Sequence, residues 1–327
     1  MLHSINSAAQ KLAEQIHQGD TRALARAISL VENNAPQAQD ILAACFPHTG
    51  SALRIGITGS PGAGKSTLVD QLARAWRKEE KTIGIVAVDP TSPFTGGAIL
   101  GDRIRLQNHS NDPGLYVRSM ATRGALGGLA QATADAAQLI EASGKDLVLI
   151  ETVGVGQDEI DIVRLSDITL VVLVPGMGDD VQSLKAGIME IADIFVINKA
   201  DREGADRVEK EIRAMQSLAH TADNWTPPVI KTIATTGAGI TELIGAIGAR
   251  KAWLAAEGRM EAKRQTYWQQ RIEAMVQQAL LKAARTHGLS SEELAQHAQR
   301  ITAKTENPYQ LVPNLIAEIF QHRKAKP

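Results

Sequence analysis

Between residues 53 and 254, short apolar runs alternate with longer amphipathic stretches, and that alternation constrains the fold more than any other feature of the chain. The runs stand at 53–58, 83–88, 115–118 (the weakest), 147–151, 168–174, 194–198 and 229–234. Each has the length of a strand and is apolar at nearly every position, the mark of a strand buried on both faces. Stretches at 66–78, 126–142, 182–191 and 206–219 carry helical periodicity instead. Strand and helix in turn predict an α/β fold, a mostly parallel sheet flanked by helices. Ligands in such sheets sit at the carboxyl ends of strands, so the residues just after each run are the ones to search.

The flanks read as helical. From residue 4 to about 45, Ile5, Ala9, Leu12 and Ile16, then Leu24, Ile28 and Val31, follow helical spacing. Gly19 stops the first helix, Asp20 caps the second, and Pro36 interrupts before Ile41. Beyond 255 the strands vanish. Trp268, Ile272, Met275 and Ala279 keep helical spacing, Ser290 with Glu293 forms a capping box, and Asn307-Pro308 opens a last helix carrying Leu311, Leu315, Ile319 and Phe320. The expected division is a helical segment at 1–48, an α/β domain at 49–254 and a helical arm at 255–327.

Composition excludes several classes of function. With 35 basic and 36 acidic residues the chain offers no global field for nucleic acid or an anionic membrane. Aromatics make up 3%, too few for base-stacking platforms. Cys45 is the single cysteine and forms no internal disulfide. No window approaches the roughly 20 apolar residues that span a bilayer, and residues 1–10 carry no secretory pattern. The expected location is the cytoplasm.

After the first run comes Gly59-Ser60-Pro61-Gly62-Ala63-Gly64-Lys65-Ser66, a complete G-x-x-x-x-G-K-S phosphate loop between a strand and a helix. Its glycines let successive backbone N–H groups converge on phosphate oxygens, and the following helix adds the positive end of its dipole. Lys65 is placed to neutralise charge between β- and γ-phosphates, and Ser66 to put its hydroxyl on Mg²⁺. The bland reading, an ordinary glycine-rich turn, does not need the lysine and serine.

After the sixth run stands Asn198-Lys199-Ala200-Asp201. A carboxylate at Asp201 accepts both N1–H and the exocyclic amine of guanine, whereas adenine offers an acceptor at N1 and no amine beside it. Asn198 either bonds the N7/O6 edge or braces the loop, the stem of Lys199 lies along the flat base, and the backbone N–H of Ala234 can reach guanine O6. GTP is favoured over ATP.

Acidic residues follow the strands or their loops: Asp89, Asp102 and Glu151. Mg²⁺ takes hard oxygen ligands and needs only one or two direct carboxylates, so Asp89, Asp102 and Glu151 are candidate partners to Ser66, with helix or turn capping as the plainer alternative. Gln157 is a candidate for placing the attacking water. No arginine is placed as a finger beside the γ-phosphate, but Arg103, Arg105, Arg118 and Arg123 lie in candidate switch territory and are candidates to act in a partner complex. A further glycine-rich acidic loop includes Gly178, Asp179 and Asp180, with Lys185 beyond.

These residues together resemble the MeaB/ArgK/MMAA family of P-loop GTPases, chaperones of adenosylcobalamin-dependent acyl-CoA mutases. The resemblance covers nearly the whole chain and is most specific at 59–67, 88–93 with Gly96-Gly97 and Gly101-Asp102-Arg103, 151–157, 178–182 and 198–201. It implies a P-loop NTPase fold in which Gly59 through Thr67 cradle the nucleotide and Ser66, Asp89, Asp102 and Glu151 form the metal and switch shell. Asn198, Lys199 and Asp201 would read guanine. Gly178, Asp179, Asp180, Gln182 and Lys185 would be the switch that contacts the partner mutase, and the C-terminal helices a homodimerisation arm. GTP hydrolysis, slow alone and stimulated by the mutase, would gate cofactor loading and reactivation. Two differences stand out. Ile233 occupies a position usually Ser, which shifts guanine preference toward Asp201 and the Ala234 backbone. Ser183 and Ala186 occupy positions often Gly and Lys.

Two other functions fit the same fold. A GTP-dependent metal-delivery protein of the nickel type needs clustered soft or imidazole ligands, and here Cys45 and the histidines are scattered. A small-molecule kinase needs a base near the γ-phosphate, which Asp89 or Asp102 could supply, and an acceptor pocket.

Overall fold

The computed structural model describes residues 6–89, 112–121, 128–152, 164–176, 191–218, 224–286 and 289–322. The chain divides into two compact units, Met1–Met260 and Glu261–Pro327.

The first unit is built on a parallel seven-stranded sheet in the order β3-β2-β4-β1-β5-β6-β7. The strands are β1 (Leu53–Gly59), β2 (Ile83–Asp89), β3 (Leu115–Ala121), β4 (Leu147–Glu151), β5 (Ile168–Leu173), β6 (Ile194–Asn198) and β7 (Val229–Thr232). Each expected run is a strand, and the weak one at 115–118 extends to Ala121 at the sheet edge. The last is shorter than expected. Ile233 leaves β7 to pair with Ala238 across a tight turn, drawn round by Gly237 and Gly239 at φ 82° and 78°.

Helix α4 (Lys65–Lys78) follows β1 and buries Leu68, Val69, Leu72, Ala73 and Trp76 against one face of the sheet. Sharing that core is α7 (Ile240–Ala255), which contributes Ile240, Leu243, Ile247 and Leu254. Sequence periodicity does not single out α7, because Gly245, Gly248 and several alanines dilute its apolar stripe. On the other face α6 (Ala205–Leu218) buries Ala205, Val208 and Ile212 against β5 and β6. Helix α5 (Gly128–Ala142) completes the described cover. The helix expected at 182–191 lies, but for Ile191, outside the described residues.

α7 is bolted to the amino end of β6 by a buried ion pair. Arg250 Nε donates to Asp193 Oδ1 at 2.8 Å, while Trp225 and Trp253 flank its guanidinium at 4.8 and 4.3 Å. Asp193 Oδ2 also accepts the Thr169 amide at 2.8 Å. A buried pair is costly to break from one side, since the orphaned charge stays in the core.

The N-terminal helices α1 (Ser7–His17), α2 (Thr21–Glu32) and α3 (Ala38–Cys45) lie in the same compact unit as the sheet. Asp20 caps α2, accepting from the amides of Arg22 and Ala23 at 2.8 and 3.1 Å. Arg118 on β3 donates to Glu32 at 2.5 Å and to Ser29 at 3.1 Å, both on α2. Buried Glu141 on α5 accepts from the amides of Gly50 and Ala52 and from Arg54. Cys45 is buried, which pushes its thiol up to about 11.

The second unit is helical. It holds most of α8 (Arg259–Thr286), then α9 (Ser291–Thr302) and α10 (Pro308–His322). The capping box is present: Ser290 Oγ accepts from the Glu293 amide, and the Glu293 carboxylate accepts from the Ser290 amide at 2.9 Å. Ile272, Met275, Val276 and Leu280 of α8 are all exposed at helical spacing, as are Tyr309, Val312 and Ile316 of α10. No described helix is long and apolar enough to cross a membrane.

Candidate functional site

The sheet order places β1 between β4 and β5, so the chain departs to opposite sides of it and opens a crevice at its carboxyl end. The phosphate loop occupies that crevice. Gly59 ends β1 at φ 136°, and a Cβ there would lie 2.0 Å from the Val172 carbonyl oxygen of β5. Gly64 caps α4 at φ 89°, and a Cβ there would meet Asn198 Nδ2 at 2.5 Å. Both positions therefore demand glycine twice over, by backbone conformation and by space.

Lys65 opens α4 and is buried, 6% exposed. Its ammonium folds back along its own loop, donating to the carbonyls of Gly59 at 2.7 Å and Ser60 at 3.0 Å. The first turn of α4 contributes no acidic residue of its own at the positive helix end. Pro61 and Gly62 are exposed, Ala63 is buried, and Ser60, Gly64, Ser66 and Thr67 lie between those extremes. An anion approaching this turn meets backbone N–H groups, a helix dipole and a movable ammonium.

Ser66 and Glu151 meet. Ser66 Oγ donates to Glu151 Oε1 at 2.6 Å, with Glu151 6% exposed at the end of β4. A hydroxyl and a carboxylate side by side form a hard-oxygen donor set that suits Mg²⁺. Asp89 ends β2, which lies beside β4 with Ala87 opposite Glu151, and nothing is described of the Asp89 side chain. Asp102, Gln157, Gly178, Asp179, Asp180, Gln182 and Lys185 lie outside the described residues, as do Arg103, Arg105 and Arg123. Among the described residues no group of three or more His, Cys, Asp or Glu side chains is placed to hold a metal. Arg118 is engaged by Ser29 and Glu32 of α2, as above.

The loop after β6 is tied to the phosphate loop from two sides. Asn198, 2% exposed, donates from Nδ2 to the Ala63 carbonyl at 2.8 Å. Its Oδ1 accepts from Thr232 Oγ1 and from the Ala234 amide, each at 3.1 Å. Lys199, at φ 55°, donates from Nζ to the Gly62 carbonyl at 2.7 Å. Positive φ in a non-glycine residue is a local strain that surrounding contacts must hold. Asp201 is exposed, and its carboxylate has no partner among the described residues. Of the roles open to Asn198, bracing is therefore realised, and the Ala234 amide that could meet guanine O6 is engaged with Asn198 here. The Thr232 hydroxyl is a participant that sequence reasoning missed. Its signal is the Asn198–Thr232 register of β6 and β7, visible only once the strands are paired.

Comparison with known proteins agrees with this architecture. Residues 24–288 match the family described as Methylmalonyl Co-A mutase-associated GTPase MeaB. A Pyrococcus abyssi protein named as a GTPase is 47% identical over 313 residues, spanning 95% of this chain and 96% of its own. The GTPase ArgK of Escherichia coli is 39% identical over 265 residues, 78% of this chain and 80% of its own. The Mus musculus protein named methylmalonic aciduria type A homolog, mitochondrial, is 32% identical over 323 residues, 93% and 78% of the two chains. A crystal structure titled LAO/AO transport system kinase is similar with a TM-score of 0.71 at 28% identity, covering 97% of this chain and 99% of that one. At that breadth of match the chain belongs to the MeaB family of methylmalonyl-CoA mutase-associated GTPases and is a GTP hydrolase.

Proposed function

We propose that the chain couples GTP hydrolysis to the servicing of an adenosylcobalamin-dependent acyl-CoA mutase of the methylmalonyl-CoA type, gating the loading and renewal of its cofactor. The observation that carries the nucleotide part is the double tie between base loop and phosphate loop, Asn198 to Ala63 and Lys199 to Gly62. A base seated against Asp201 then sets the phosphate loop through bonds that already exist. The family's association with methylmalonyl-CoA mutase supports the partner.

In this reading the Lys65 ammonium leaves two neutral carbonyls for the β- and γ-phosphate oxygens, where opposite charge holds it better. The amides from Gly59 to Thr67 cradle the remaining oxygens. Ser66 and Glu151 would hold Mg²⁺, with Asp89 and Asp102 as further candidate ligands. When bound, the ion neutralises charge across the transferred phosphoryl group. Asp201 selects guanine, Lys199 walls the base, and Gln157 places the attacking water. Turnover without the partner is slow in this account, because the one described candidate arginine, Arg118, is spent on α2.

We further infer a homodimer formed through the second unit. Its support is the run of large apolar side chains left exposed at helical spacing on α8 and again on α10.

The test is steady-state GTP and ATP hydrolysis by the pure protein, alone and with cobalamin-dependent acyl-CoA mutases. Slow GTP turnover accelerated by one mutase supports the proposal, and turnover indifferent to every mutase sinks its partner half. A second reading, phosphoryl transfer to a small acceptor, draws on the similarity to the protein named LAO/AO transport system kinase. Stoichiometric release of free phosphate from GTP with no acceptor added removes it.

A further inference from the structure

Beside the phosphate loop the sheet carries a polar pair that the mechanism above does not use. Thr58 is the last residue before Gly59, and Thr152 is the first after β4; they are 1% and 2% exposed. Thr152 Oγ1 donates to Thr58 Oγ1 at 3.1 Å. The Thr152 amide donates to the Ile57 carbonyl at 3.0 Å, carrying the β1–β4 ladder one step past the Ile57–Glu151 register.

On the face that Thr152 shares, β4 carries Val148 and Ile150, both fully buried. Valine would fill the same shape as threonine without bringing hydroxyls out of water, so a buried hydroxyl pair here calls for a reason beyond packing. Side chains alternate along a strand, so Thr152 faces away from the side on which Glu151 meets Ser66. The pair therefore acts through backbone. It fixes the peptide between residues 151 and 152 to the point where β1 enters the phosphate loop.

We propose that Thr58 and Thr152 are positioning residues: their hydroxyl pair locks the carboxyl end of β4 to that of β1, holds the Glu151 carboxylate against Ser66, and so governs how firmly the site retains Mg²⁺ and nucleotide. This rests on the reading of Ser66 and Glu151 as the Mg²⁺ side chains.

The experiment uses the full chain as wild type, Thr152→Val, Thr152→Ser and the double variant Thr58→Val/Thr152→Val. Three quantities are read: melting temperature, the Mg²⁺ dependence of release of a fluorescent GDP analogue, and the separate values of kcat and KM for GTP. One valine strands the other hydroxyl and lowers the melting temperature, whereas two valines remove both polar groups and regain most of it. A positioning role predicts that the Mg²⁺ needed to slow release rises about tenfold in both valine variants, the usual scale for losing a group that orients a metal ligand. It also predicts that kcat falls more than KM changes, and that Thr152→Ser stays near wild type. Recovery of both melting temperature and Mg²⁺ response in the double variant overturns the proposal, because the pair is then packing alone. An unshifted Mg²⁺ response in Thr152→Val overturns it too. Should that single variant not fold, the double variant decides. A wild type whose nucleotide release ignores Mg²⁺ would instead remove the assignment of Ser66 and Glu151, and this proposal with it.

Discussion

The Asn198 carboxamide spans two loops, donating 2.8 Å to the Ala63 carbonyl while its oxygen accepts from Thr232 and Ala234. The loop after β6 and the phosphate loop therefore share one side chain. Asn198→Ala is expected to weaken GTP and ATP alike, on the order of tenfold or more for a buried bond lost together with its neighbours' partner. Asp201→Asn, on an exposed side chain outside that brace, is expected to relax only the preference for GTP. Competition binding of the two nucleotides separates these effects, and a change confined to discrimination in Asn198→Ala would refute the bracing role.

Lys65→Ala removes the one buried ammonium of the phosphate loop without touching its glycines. Hydrolysis should fall by about a hundredfold or more, the scale for losing a preorganised charge at a developing anion. Single-turnover GTP assays check it, and retained turnover would take the phosphate role away from Lys65.

Two glycines of one loop should respond unequally to alanine. At Gly59 the added methyl falls 2.0 Å from the Val172 carbonyl oxygen at φ 136°, while at Gly62 nothing lies within 4 Å and only the φ of 75° opposes it. Gly62→Ala should cost about 1 kcal/mol, and Gly59→Ala about 3 kcal/mol or more, or prevent folding. Urea unfolding curves give the comparison; equal losses would contradict the close approach of β1 and β5.

Asp146, at the amino end of β4, accepts from the Thr82 amide at 2.7 Å and hydroxyl at 2.8 Å, which holds its carboxyl below the usual range. The folded chain then binds fewer protons here than the unfolded chain over that interval. The stabilisation is fully present above the ordinary carboxylate pKa of about 4 and is lost as pH falls through the lower folded value. Asp146→Asn should lower the melting temperature at neutral pH and flatten its decline in acid. An unchanged acid slope would mean other carboxylates set it.

Ile272 and Val276 sit one helical turn apart on α8, both about half exposed. Replacing both with glutamate should leave GTP turnover by the isolated protein in place and convert the species in solution to the mass of one chain. Light scattering after size-exclusion chromatography reads this directly, and a wild type already monomeric at micromolar concentration would end the dimer proposal.

Much of this was legible in the sequence because it is local. The apolar runs announced each strand, the glycine spacing with Lys65 and Ser66 announced the phosphate loop, and Ser290 with Glu293 announced its cap. These signals depend on neighbours within a few residues. α7 escaped notice because alanine and glycine bury a face without producing a strong period. Arg118 looked available for chemistry because nothing near it in sequence reveals Glu32 and Ser29 as its partners.

What the sequence by itself determined is the order of elements and the inventory of chemical groups at strand ends. Which of those groups touch was decided by tertiary structure alone. Glu151 reaches Ser66 because β4 enters the sheet beside β1, and Asn198 reaches Ala63 because β5 and β6 follow on its other side. In a parallel sheet every neighbour arrives by a long crossover, so the pairing order, and with it the geometry of the site, is set by the packing of distant segments.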